Sequence, residues 1–166
     1  MPQRTETTPF GLISMASNGK AITNLTWVTE KTNNHDSDAI LDQAFLELQE
    51  YADGKRHTFT VPVSLEHVTQ SQRDWLTTLR KVAYGETISY SALAERAGKP
   101  NAVRAAGSAC AKNPIPIIYP CHRITRIDGD LGNFGAIRSI PPSDPRNLGI
   151  KASLITHEKA FQPSLS

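Results

Sequence analysis

Four consecutive residues, Pro120-Cys121-His122-Arg123, set a thiol beside an imidazole just after an apolar segment, Ile115-Pro116-Ile117-Ile118. A thiol attacks carbon only as its thiolate, and an unperturbed cysteine, with a pKa of about 8.5, is mostly protonated near neutrality. A base must therefore lie close to it, and His122 is the candidate. Adjacent side chains in extended backbone point to opposite faces, so the pair needs either a turn that brings the two together or a bridging water. The competing reading is a cysteine packed as a small hydrophobe beside a surface histidine, and the surrounding chain has to decide between them.

At 166 residues the chain is long enough for one ordinary domain or two small ones sharing an interface. No apolar run approaches the roughly 18 residues that cross a bilayer, and the N-terminus MPQRTETTPF lacks the apolar stretch of a signal peptide. An intracellular protein without membrane association is expected. The two cysteines, Cys110 and Cys121, have neither disulfide nor zinc spacing, and His35, His57 and His67 form no ligand set. Charge divides unevenly: residues 1–79 carry six Lys/Arg against ten Asp/Glu, residues 80–166 twelve against six. The basic half holds the candidate nucleophile, which points to an anionic partner for that half alone.

The elements that would position Cys121 can be read from the pattern. Residues 9–28 form a hairpin about Asn18-Gly19, a pair favoured in two-residue turns. A polar loop covers residues 32–38, and a helix over 39–52 carries Ile40, Ala44, Leu48 and Tyr51 on one stripe up to Gly54. Residues 58–63 alternate like a strand, with Pro62 favouring an edge. From Thr69 a helix buries Gln72, Trp75, Leu76, Leu79 and Val82, and the change of pattern sets a boundary between a domain over 1–68 and one over 69–166. Ser89 caps a short helix that ends at Gly98, and residues 101–112 form another, rich in Ala, Gly and Ser. Two short helices about a Gly-containing turn make a helix-turn-helix candidate. Ala102, Ala105, Ala106, Gly107, Ser108 and Ala109 allow close approach to another surface, either DNA or a neighbouring helix, and Arg104 is the one long cation among them. Cys110 reads as a packing residue.

Taken together, Arg104-Ala105-Ala106-Gly107-Ser108-Ala109-Cys110-Ala111-Lys112-Asn113-Pro114 and Pro120-Cys121-His122-Arg123-Ile124 resemble the O6-alkylguanine-DNA alkyltransferases. The likeness extends upstream through Gln72-Arg73-Asp74-Trp75 and Tyr84-Gly85-Glu86-Thr87-Ile88-Ser89-Tyr90. Downstream it runs through Asp128-Gly129-Asp130-Leu131-Gly132-Asn133-Phe134-Gly135 to His157-Glu158, so that residues 70–160 are covered by motif and the first half by pattern. The resemblance implies an α+β chain: a small N-terminal sheet-and-helix domain, RNase H-like, and a helical C-terminal domain with a helix-turn-helix. It implies irreversible, single-turnover transfer of an alkyl group from O6-alkylguanine, and from O4-alkylthymine, in double-stranded DNA to Cys121. The protein would act as a monomer and without a cofactor. Metal is not expected, since members that bind zinc use N-terminal cysteines this chain lacks.

By the same resemblance His122 is the base, acting through a water, Glu158 the carboxylate behind it, and Asn113 the residue tying the recognition helix to the nucleophile's segment. Tyr90 donates to N3 of a guanine flipped out of the duplex, a step such chemistry on a buried base requires. Arg104 fills the vacated stack, with Ala105, Gly107, Ser108, Tyr90 and Arg123 also at the DNA, in the minor groove. Ile124, Asn133, Phe134 and Gly135 form the substrate pocket. Phe134-Gly135 stands where many members carry Tyr-Ser or Tyr-Arg, and residues 136–148 make a longer, more proline-rich link than usual, so a reshaped pocket wall is expected. Two other readings are a lesion-binding protein of the same fold that flags damage without efficient transfer, and a Cys-His hydrolase or thiol transferase acting on a small molecule.

Overall fold

The computed structural model describes residues 1–32 and 35–162. It begins with three antiparallel strands in the order β1 (Gln3–Thr8), β2 (Gly11–Ser17), β3 (Ile22–Trp27). The second hairpin turns at Asn18-Gly19, where Gly19 has φ +89° and the Asn18 side chain accepts from the backbone of Lys20 and Ala21. Alternation then sends Ile13 and Met15 of β2, with Leu25 and Trp27 of β3, into the core. Helix α1 (Ala39–Ala52) packs across all three strands, capped by Asp38 accepting from the Leu41 amide. Its inward stripe is Leu41, Ala44, Phe45, Leu48 and Tyr51, one step round from the stripe the sequence implies: Ile40 is only partly buried.

Two features of this half depart from the sequence reading. β1, with the sequence QRTETT, has no apolar alternation to announce it. The strand expected over 58–63 does not form. The Glu47 carboxylate takes the amides of Thr60 and Val61, and Pro62 has no amide to give, so only a single bridge between Ile22 and Val63 remains. Residues 33 and 34 of the expected 32–38 loop lie outside the described residues.

The second half is helical. Helix α2 (Gln70–Arg80) starts at a Thr69 cap and buries Trp75, Leu76 and Leu79, with Val82 just beyond it. Helix α3 (Tyr90–Arg96) starts at Ser89, whose hydroxyl accepts from the Ala92 amide, and α4 (Val103–Ala111) follows a short turn and packs on α2 and α3. Cys121–Arg123 form one 3-10 turn. A pair of two-residue parallel strands, β4 (Ile88–Ser89) and β5 (Ile124–Thr125), holds that turn against the start of α3. Helix α5 (Pro145–Ala160) closes the fold, with Pro145 in its first turn and Asp144 as cap.

One continuous buried cluster joins both halves, from Ile13 and Leu48 through Leu76 and Leu93 to Cys121 and Leu154. The proline-rich link ahead of α5 is tied down rather than loose. Asn147, fully buried, accepts from the Ile137 amide and donates to the carbonyls of Ile137 and Pro141, and the Trp27 amide donates to Ala136.

Candidate active site

Cys121 and His122 lie in one 3-10 turn, where successive side chains diverge by roughly a third of a circle rather than the half of extended backbone. Both are buried, Cys121 at 4% exposure and His122 at 0%. The segment leading to them is held tightly. Ile117 adopts φ +73°, a conformation a β-branched residue rarely takes, and costs about 1–3 kcal/mol wherever it occurs. Asn113 holds this turn closed, donating to the Tyr119 carbonyl and accepting from the Ile115 amide. The Asn113 side chain also favours the charged form of Cys121, against the burial that opposes it.

Behind the imidazole stands Glu158, from the last turn of α5, 36 residues away in sequence. His122 Nε2 lies 2.5 Å from Glu158 Oε2. A carboxylate can only accept, so Nε2 carries the hydrogen and Nδ1 keeps its lone pair. Nδ1 is buried and has no hydrogen-bond partner among the described residues. Glu158 collects four further donations: Tyr51 Oη at 2.7 Å, the Gly85 amide at 3.0 Å, Arg123 Nε at 2.8 Å and Arg123 Nη2 at 3.0 Å. Burial opposes its charge, but the hydrogen bonds and charges of His122 and Arg123 outweigh it and hold the carboxyl well below the usual range. Burial pushes the Cys121 thiol up and the His122 imidazole down, against the pull of Glu158. At rest the pair is therefore a neutral thiol and a neutral imidazole, with a fixed carboxylate behind them.

In front of the thiol lies a cavity of about 470 Å³. Its wall holds Tyr90 and Ser89 from the start of α3, Arg104, Gly107 and Cys110 from α4, and Asn133, Phe134, Gly135 and Pro142 from the loop before α5. Cys121 is not itself in the wall but lies behind it, near enough that its charge, after burial, adds to the upward shift of the Tyr90 phenol and the Cys110 thiol. The loop approaches closely because it lacks side chains where it must: a Cβ on Gly132, which has φ +73°, would sit 3.0 Å from Tyr90 Oη. Phe134 is buried edge-on against Trp27, ring centroids 5.9 Å apart, which fixes the far wall to the sheet.

The structure gathers most of the residues singled out from sequence and sets Arg123 apart. Arg104, Ala105 and Ser108 are exposed and Gly107 partly so, on the outer face of α4, whose inner face buries Ala106 and Ala109. Arg123, expected at the DNA, is 7% exposed, forked on Glu158 with Nη1 on the Val82 carbonyl, and is corrected to an internal residue of the carboxylate's setting. Ile124, whose backbone carbonyl the resemblance directs at the base, pairs with Ile88 through β5 and buries its side chain in the core, an arrangement that does not bear on that carbonyl. Cys110 lines the cavity rather than only packing. Tyr51, Gly85, Lys151 and Pro142 were not singled out for the site. Tyr51 had shown itself only as one position of an apolar stripe.

The chain was compared with known proteins on this background. The model of the 6-O-methylguanine DNA methyltransferase DNA binding domain matches residues 70–160, and that of the 6-O-methylguanine DNA methyltransferase ribonuclease-like domain matches residues 3–65. The constitutive methylated-DNA--protein-cysteine methyltransferase of Bacillus subtilis is 37% identical over 144 residues, covering 81% of this chain and 87% of that protein. The methylated-DNA--protein-cysteine methyltransferase of Mycobacterium tuberculosis is 35% identical over 166 residues, covering 97% and 94%. A crystal structure of Mycobacterium tuberculosis OGT in complex with DNA superimposes with a TM-score of 0.81 at 31% identity, over 98% of this chain and 95% of that one.

Proposed function

The chain belongs to the 6-O-methylguanine DNA methyltransferase family, a DNA-repair family that moves an alkyl group from DNA onto a cysteine, and we propose that Cys121 is the acceptor. The substrate in this reading is double-stranded DNA carrying O6-alkylguanine, met by a monomer. Residues 69–166 hold the reacting groups and the DNA face, while 1–68 brace them.

The sequence of events joins the site's chemistry to the roles that the family resemblance implies. The outer face of α4 meets the minor groove, the damaged base turns out into the cavity at a cost of a few kcal/mol of lost stacking, and Arg104 takes its place. His122 Nδ1 receives the Cys121 proton through a bridging water. The thiolate attacks the alkyl carbon, the carbon–O6 bond breaks, and its electron pair leaves with the guanine. Tyr90 offsets that departing charge by donating to N3. Burial, which keeps its phenol protonated far above neutrality, keeps the donor available. The imidazolium left behind faces Glu158, already ionised and held by Tyr51, Gly85 and Arg123. The new thioether has no leaving group at physiological pH, so each molecule reacts once.

The observation that carries this reading is a buried cysteine followed directly by a buried histidine that is bonded to the Glu158 carboxylate, behind a cavity walled by Tyr90, Asn133 and Gly135. Its test is incubation with a duplex containing O6-methylguanine, followed by intact mass and peptide mapping. One methyl on Cys121, absent from Cys121→Ala, is the expected result. Lesion binding without any gain in mass would replace transfer by recognition, and neither would point to a small-molecule thiol enzyme.

A further inference from the structure

Lys151 has no part in the steps above, yet it is a fully buried lysine at the site. It projects from α5 beneath the cavity loop, where Nζ donates to the Leu131 carbonyl at 2.5 Å and to the Asn133 carbonyl at 3.3 Å. The same ammonium lies 5.8 Å from the centre of the Tyr90 ring. No carboxylate pairs with it among the described residues: its acceptors are two neutral carbonyls and an aromatic face. A buried ammonium without a counter-charge is expensive, and two carbonyls could be satisfied by a neutral amide. The position is explained when a negative charge appears nearby during the reaction, and the thiolate of Cys121 is that charge.

We propose that Lys151 is a positioning residue for alkyl transfer: it pins the cavity loop at Leu131 and Asn133 and, through its charge, favours formation of the Cys121 thiolate. This rests on the alkyl-transfer reading above. Lys151 and Cys121 each favour the other's charged form, and Lys151 disfavours a protonated His122 before the thiol ionises. Burial pushes Lys151 down to about 8, so its charge is lost within an accessible range. The other groups facing it do not titrate there. On α3 and α4, Tyr90 and Cys110 are raised well above it by burial, and on the 3-10 turn Cys121 is raised above 9.0 and His122 lowered below 6.5. Two further cations face this setting, Arg126 bearing on Tyr90 and Arg138 on Cys121.

The experiment is the rate of methyl transfer at saturating O6-methylguanine duplex, protein in excess, from pH 6 to 9.5. Saturation isolates the chemical step from DNA binding. In the wild type the rate should level off and then fall as pH rises through about 8, because the ammonium is lost. Lys151→Met should react at least tenfold more slowly at pH 7 and lack that alkaline fall. Lys151→Arg, which keeps charge and donors, should regain part of the rate and hold it to pH 9.5. A wild-type rate flat or rising through pH 9.5 overturns the proposal whether or not either variant folds. A folded Lys151→Met within twofold of wild type also overturns it. If the wild type takes up no methyl at any pH, it is the alkyl-transfer reading that fails.

Discussion

Glu158 is where single residues decide most. Five hydrogen bonds converge on its two oxygens, and one of them, from Tyr51, comes from the sheet-bearing half of the chain. Tyr51→Phe removes one hydroxyl without changing shape. It should cost about 1–2 kcal/mol of stability, read as a lowered denaturation midpoint, and slow methyl transfer several-fold. Glu158→Gln leaves Arg123 buried without its counter-charge and should cost about 3–5 kcal/mol. The pH dependence has a definite sign. Because the folded carboxyl titrates below its ordinary value of 4.5, the stability it contributes is full above that pH and is lost as pH falls through the folded pKa. His122, lowered from 6.5, adds a loss that begins below 6.5, where only the unfolded chain takes up the proton. An acid titration of unfolding should therefore be steep from about pH 6.5 downward in the wild type, and flatter below 4.5 in Glu158→Gln. Cys121 and His122 were legible because they adjoin in sequence. Tyr51 was not, since 107 residues separate it from Glu158 and its spacing described only a helix face.

At the scale of elements, α4 separates two kinds of small residue. Ala106 and Ala109 are buried against α2 and α3, whereas a Cβ on Gly107 would meet nothing within 4 Å. Gly107→Ala should thus stabilise the helix by up to about 1 kcal/mol while weakening binding to duplex, if this face approaches DNA. Unchanged binding would take Gly107 out of the interface. Arg104→Ala should slow transfer from duplex much more than from a free alkylated base, and equal losses would remove its role in filling the stack. Helices were the legible elements: α1 begins and ends where apolar spacing and Gly54 set it, and Ser89 and Thr69 cap as their types imply. Strands were not. β4 and β5 are two residues each, too short for any period, and join positions 36 apart. In the 58–63 segment a carboxylate from another element claimed the backbone donors.

Across the whole molecule, charge and packing are distributed differently. The excess of basic residues is confined to the half carrying α4, so binding to duplex should weaken linearly in the logarithm of salt concentration, with a slope near −0.9 per phosphate neutralised. Packing respects no such division, since the buried cluster runs from Ile13 to Leu154 and includes Cys121. A thioether at a residue only 4% exposed and set behind the cavity wall adds volume among packed neighbours, an overpacking that costs about 1–3 kcal/mol. With no separate core to absorb it, that cost falls on the one cooperative transition and lowers its midpoint by roughly 2–4 °C per kcal/mol. A sample given fewer lesions than protein molecules should then melt as two populations, the earlier in proportion to the lesions supplied. The thermogram would serve as a dosimeter, recording past exposure to alkylating agents in the heat capacity of the protein.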